Sequence, residues 1–184
     1  EASQDNADGN NQNAAPADAG AEADDARTVE EGDIYQVMSG NNLILNLNSY
    51  RGLQIIDFAD VDDPEIVGHV QVSGTPVEMY QVGDRVFALL NNWRGYWGSR
   101  DDIAVDTFEG GLVLAIDVSD PANPKVTGQA TIPGWVRKSR LTRGGDKEAL
   151  FVVASEWDNE SGEEKTYVKS FKVSDTGTLA EKSL

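Results

Sequence analysis

The run Leu53-Gln54-Ile55-Ile56-Asp57-Phe58-Ala59-Asp60 is followed by Pro64 and then by Ile66-Val67-Gly68. Sixty residues later the chain reads Val113-Leu114-Ala115-Ile116-Asp117-Val118-Ser119-Asp120, then Pro124 and Val126-Thr127-Gly128. Gly74 and Gly134 keep the same offset, and a third, weaker copy opens at Phe171-Lys172-Val173-Ser174-Asp175. Self-similarity at a fixed spacing, built of short strands, is the mark of a repeat architecture, and units of four strands point to the blades of a β-propeller. A β-sandwich also has many short strands, but it does not predict an echo at sixty residues.

Outward from that echo, residues 34–184 consist of short apolar runs divided by Gly, Asp, Asn and Pro. No window of the chain keeps a helical period, so the domain is predicted to be all-β. Strands are expected at Ile34–Met38, Leu43–Leu47, Leu53–Phe58, Glu65–Val72, Val77–Val82, Val86–Asn91, Leu112–Val118, Lys125–Ile132, Val136–Leu141, Ala149–Ser155 and Thr166–Val173, with a further start at Leu179–Leu184. Grouped in fours, they give blades at about 34–72, 76–132 and 135–184. The third run of each blade is apolar on both faces, through Leu53, Ile55 and Ile56 in one and Leu112, Val113, Leu114, Ala115 and Ile116 in the next. A strand of that kind is covered on both faces and belongs in the middle of a stack of sheets. Propellers close with about four to eight blades. Two and three-quarter blades would leave apolar faces uncovered at both ends, so the chain is expected to be a fragment of a longer ring or to associate with itself.

The charge divides the chain in the same place. Of 184 residues, 32 are Asp or Glu and 15 are Lys or Arg, a net charge of −17. Residues 1–33 hold ten of the acids and one base, Arg27, with nine Ala, four Asn and no aromatic, Leu, Ile or Met. Such a stretch buries nothing that could offset the entropy of ordering it, so it is expected to be a disordered acidic spacer. The remaining 22 acids and 14 bases give residues 34–184 a net charge of −8. An acidic surface disfavours nucleic acid, whose affinity rests on Lys and Arg. No apolar run approaches the roughly 18 residues of a membrane-spanning helix. With no Cys, thiolate metal sites, thiol catalysis and disulfides are excluded. The chain starts at Glu1 without a basic n-region or an apolar h-region, which reads as a signal already removed or a cut piece. An acidic spacer ahead of a folded domain fits an exported protein, secreted, periplasmic or held at the cell surface by a lipid upstream.

The segments Gly52 to Asp60 and Leu112 to Val126, with Pro64 and Gly68, resemble LVIVD-type propeller repeats. Their continuation through Gly74 to Tyr80, Val82 to Arg85 and Ser139-Arg140-Leu141 is similar to that of secreted bacterial and archaeal proteins carrying a C-terminal β-propeller distantly related to WD repeats. The resemblance covers residues 32–179. It implies an exported propeller and brings no catalytic set with it.

The candidate binding residues come from the loops. The connection Asn92–Gly110 is some fourteen residues longer than its counterpart Asn48–Gly52, and it carries Trp93, Arg94, Tyr96, Trp97, Arg100, Asp101, Asp102, Asp106, Phe108 and Glu109. Tyr50 and Trp157 occupy the equivalent loops of the neighbouring blades and should share a face with it. Aromatics beside charged groups suit capture of a protein, a peptide or a glycan. A compact loop closed over its own aromatics is the structural alternative. The expected function is therefore a non-enzymatic interaction module, with Tyr50, Trp93, Arg94, Tyr96, Trp97, Arg100 and Trp157 as its binding residues and no cofactor. The alternative is a hydrolase or lyase using paired loop carboxylates, with calcium as the one metal the Asp-rich turns would suit. Asp57, Asp60, Asp62 and Asp63 crowd one such turn and Asp117 and Asp120 another, but Asp before Pro also closes turns on its own backbone. Near the axis, Glu78 is expected to pair with Arg137, Lys138 or Arg140. His69, the single imidazole, is expected to be an ordinary surface or half-buried residue.

Overall fold

The structure, a computed structural model, describes residues 28–38, 40–72, 74–92, 108–144, 148–173 and 179–182. Among them there is no helix, and thirteen strands form three antiparallel sheets. The first sheet joins β2 (Tyr35–Met38), β3 (Leu43–Asn48), β4 (Gly52–Asp57) and β5 (Glu65–Val70) in sequence order. The second joins β6 (Thr75–Val82), β7 (Arg85–Asn91), β8 (Gly111–Asp117) and β9 (Lys125–Ile132) in the same way. The third joins β10 (Trp135–Arg143), β11 (Ala149–Asp158), β12 (Glu163–Lys172) and β13 (Ala180–Lys182), with β1 (Thr28–Glu30) added on the far side of β10.

The sixty-residue echo is present in the pairing registers as well as in the letters. A bulge interrupts β4–β5 between Ile55 and Ile56, and another interrupts β8–β9 between Ala115 and Ile116. A second pair of irregularities falls between Pro76 and Glu78 in β6 and between Val136 and Lys138 in β10. Bulges bend a strand and raise its twist, so the sheets inherit the same local shape from the same local sequence. The turns repeat too. Asp57 accepts the N–H of Ala59 at 2.8 Å and Asp117 that of Ser119 at 2.9 Å, while Asp60 and Asp120 accept those of Asp62 and Ala122. These are Asx turns, in which a short carboxylate replaces a backbone acceptor. Among the described residues no group of three or more His, Asp or Glu is placed to hold a metal ion.

The alternation of the second sheet supplies two cores. Val86, Ala88, Leu90, Leu112, Leu114 and Ile116 face the first sheet and meet Leu45, Leu47, Leu53 and Ile55. Phe87, Leu89, Val113 and Ala115 face the third and meet Leu141, Leu150, Val152 and Phe171. The run Leu112–Ile116 is therefore buried at every position, which is the expected consequence of covering both faces. Gly68 shows how closely the sheets approach at their outer edge. A Cβ there would lie 2.0 Å from the carbonyl oxygen of Pro121, so only glycine lets β5 rest on the Asp-Pro turn of the second sheet. The outer face of the first sheet carries a ladder of Val37, Ile44, Ile56 and Ile66 in register, with Val37 54% and Ile66 55% exposed.

Residues 28–33, placed in the spacer by composition, are structured. Thr28, Val29 and Glu30 pair with Arg143, Thr142 and Leu141. The chain then crosses the inner edge of the second sheet, where the Met79 N–H donates to the Asp33 carbonyl at 2.8 Å, before entering β2. Backbone pairing and ion pairs hold this strap; it contributes no large apolar side chain to either core, which is why composition alone missed it. Residues 1–27 of the expected spacer lie outside the described residues.

Candidate binding face

Residues 49–51, 71–72, 92, 108–110, 133–134 and 159–162 lie at one end of the sheets. Their mutual placement is fixed by side chains reaching the backbone of a neighbour. Gln71 Nε2 donates to the Tyr50 carbonyl at 3.3 Å. Asn91, at the end of β7, accepts the Val136 N–H at 2.7 Å and donates to the Val136 carbonyl at 3.2 Å, a two-point clamp buried between the second and third sheets. The Asn92 N–H donates to the Gly110 carbonyl at 2.8 Å and closes the base of the long connection. Phe108 anchors its return by packing against the first core.

Beside the Asn91 clamp is a cavity of about 270 Å³ lined by Glu109, Gly110, Pro133, Gly134, Trp135 and Glu156. Trp135 is half-buried and immediately precedes Val136, so the clamp fixes the indole as well as the strand. Glu156 is oriented by the Tyr167 hydroxyl, which donates to it; that bond, followed by burial, pushes the Tyr167 phenol up from its ordinary value. Two carboxylates flank one aromatic side chain, and among the described residues no Lys or Arg lines the cavity. It accepts hydrogen bonds from hydroxyl or ammonium groups, and it offers an indole face to C–H groups or a cation.

Tyr50 and Trp157 both stand at this end of the sheets, 61% and 63% exposed. They sit on the first and third sheets with the second between them, and neither lines the Trp135 cavity. The turn after Trp157 is rigid: Asp158 accepts from Lys165 Nζ at 2.6 Å, from the Glu160 N–H at 3.0 Å and from the Ser161 hydroxyl at 2.8 Å. Those bonds, Lys165 foremost, hold its carboxyl well below the usual range. Trp93, Arg94, Tyr96, Trp97 and Arg100 lie outside the described residues, as do Asp101, Asp102 and Asp106. Trp135 and Glu156 were not singled out from the sequence. The signal was available in the repeat, since Gly134-Trp135 stands where the earlier copy has Gly74-Thr75.

The expected pairing of Glu78 with a base of β10 is not what forms. Ser139 donates its N–H at 3.1 Å and its hydroxyl to Glu78 Oε2, and the Tyr80 hydroxyl donates to the same oxygen at 3.3 Å. Tyr80 is fully buried, and burial raises its phenol above the ordinary value. Arg140 turns instead to Glu31 on the strap, 2.5 Å away, and Arg137 to Ser155 and Glu164. A half-buried carboxylate served by neutral donors lets the longer cations stay near water. His69 is exposed and lines a shallow hollow with Arg51, Gln54, Ile66 and Gln71 on the outer face of the first sheet. No protein-family model, curated protein or solved structure matches this chain.

Proposed function

We propose that this chain is part of an exported β-propeller of the LVIVD-repeat kind that acts as a non-enzymatic interaction module through its loop face. The three sheets are its blades, and the acidic residues upstream of the strap are its spacer. The observation that carries the reading is the cavity of Trp135, Glu109 and Glu156, set between two sheets at the end where Tyr50 and Trp157 are exposed. Aromatic surface beside fixed acceptors is the chemistry of recognition by stacking and hydrogen bonding. Among the described lining residues the charged groups are the carboxylates of Glu109 and Glu156, which favour a neutral glycan or a basic peptide segment as the ligand.

The test is a glycan array and a basic-peptide array probed with the wild-type chain, then with Trp135→Ala and Trp157→Ala. Capture of a neutral glycan or a basic peptide, lost by about tenfold or more in Trp135→Ala at an unchanged melting temperature, supports the reading. Capture confined to anionic ligands, or capture indifferent to both substitutions, overturns it.

A further inference from the structure

The strap suggests a second site, away from the loop face and independent of it. Strand β1 adds little apolar burial to the fold: Thr28 is exposed and Val29 is 63% exposed. What holds it is three residues of antiparallel pairing along the β10 edge and two ion pairs with consecutive acids. Arg143 Nε meets Glu30 Oε2 at 2.7 Å, and Arg140 Nη2 meets Glu31 Oε1 at 2.5 Å. Both guanidiniums are also tied to the body of the protein. Arg143 donates to Glu148 at 3.3 Å and to the Gln81 carbonyl, and Arg140 donates to the Ser139 carbonyl at 2.7 Å. Those bonds do not involve the strap.

The paired arginines belong to the third sheet alone. Sixty residues earlier, by the matching registers, Arg140 and Arg143 correspond to Tyr80 and Gly83 (140 − 60 and 143 − 60). The strap itself divides into two parts. Gly32 lies so close to the second sheet that a Cβ would come within 2.8 Å of Glu78 Cβ and of the Tyr80 ring, and Asp33 is bonded to Met79. Residues 32–33 are thus anchored, while residues 28–31 rest on an edge and two surface-accessible ion pairs of the kind that contribute little individually. An edge strand with unpaired N–H and C=O groups is a template for another strand.

We propose that the β10 edge, with Arg140 and Arg143, is a strand-addition site for an extended acidic peptide bearing two adjacent carboxylates. Thr28–Glu31 fills it in cis, and the equivalent segment of another polypeptide takes it in trans when the cis strand leaves. The main chain supplies the affinity, and the two arginines choose the acidic pair. The cis strand competes at the high effective concentration of a short tether.

The probe is a fluorescein-labelled peptide of residues 24–33, titrated by anisotropy against the full chain. Glu30→Lys with Glu31→Lys, which sets the strap against the arginines, is expected to bind the probe about tenfold or more tighter than wild type, because the competent fraction rises. Adding Arg140→Glu and Arg143→Glu abolishes that binding, as does replacing both probe glutamates by Gln. Val29→Pro is the second variant; it removes a strand N–H without changing any charge. Equal binding by wild type and both variants overturns the proposal, as does failure of both well-folded variants to bind. Loss of cooperative folding in both overturns it as well, since β1 would then be a part of the fold and not the occupant of a site.

Discussion

Substituting Asn91 by Leu tests whether the candidate cavity is built by the clamp beside it. The Asn91 side chain is buried and makes two hydrogen bonds to one residue, accepting from the Val136 N–H at 2.7 Å and donating to its carbonyl at 3.2 Å. Leucine keeps much of the volume and removes both bonds, leaving a donor and an acceptor without their partners inside the protein. Each lost bond costs about 0.5–1.5 kcal/mol net, and a buried group left unsatisfied costs about 1–3 kcal/mol. With two groups left unsatisfied, the cost expected for Asn91→Leu is about 2–6 kcal/mol, a fall of roughly 4–24 °C in Tm for a domain of this size. Urea denaturation followed by tryptophan fluorescence measures it, with the slope of the transition as a check that the unfolded state is unchanged. Asn92→Ala is the internal control, because the Asn92 side-chain oxygen is buried without a partner among the described residues; its loss should cost less than about 1 kcal/mol. A cost below about 0.5 kcal/mol for Asn91→Leu at constant slope would refute the reasoning. So would an Asn92→Ala effect as large as that of Asn91→Leu.

Gly68→Ala places a methyl against the Pro121 carbonyl and should destabilise the chain by about 1–3 kcal/mol, read as a drop in the urea midpoint. Tyr80→Phe removes one donor from Glu78 and should cost about 1–2 kcal/mol at neutral pH. The same substitution bears on alkaline stability. Because burial raises the Tyr80 phenol in the folded state, its contribution is complete below the unfolded value near pH 10 and lost as pH rises through the folded value, so Tyr80→Phe should flatten the alkaline limb of a Tm–pH curve. Asp158 has the opposite sign. Its lowered carboxyl supports folding above the unfolded value near pH 4 and fails as pH falls through the folded one, so Asp158→Asn should make Tm less sensitive to acid.

The sequence was most legible where the pattern had a period. The echo of Leu53–Gly68 in Val113–Gly128 located β4, β5, β8 and β9, and the unbroken apolar run at 112–116 placed β8 between two sheets. Boundaries moved where turn chemistry decided them. Strand β11 runs on to Asp158 and β12 begins at Glu163, because Asp158 caps a four-residue turn that a hydrophobic pattern cannot register. Strand β1 escaped notice for a different reason. Its Thr-Val-Glu-Glu stretch buries little, and its partners Arg140 and Arg143 are more than a hundred residues away. The site was legible in part. Exposed Tyr50 and Trp157 follow from loop position, whereas the juxtaposition of Glu109, Trp135 and Glu156 depends on how two sheets meet, and no local pattern encodes that.

In every sheet pairing but one, neighbouring strands are consecutive in the chain, so each hairpin can form soon after its second strand is made. The strap is the exception. Thr28 meets Arg143 across 115 positions (143 − 28), the largest separation in the three sheets. During synthesis at about 5–20 residues per second, β1 must wait roughly 6–23 seconds after it emerges for its partner strand. Throughout that interval Glu30 and Glu31 stay in water beside a growing stack of apolar sheets. Their charge keeps the strap out of the wrong cores until β10 arrives to claim it.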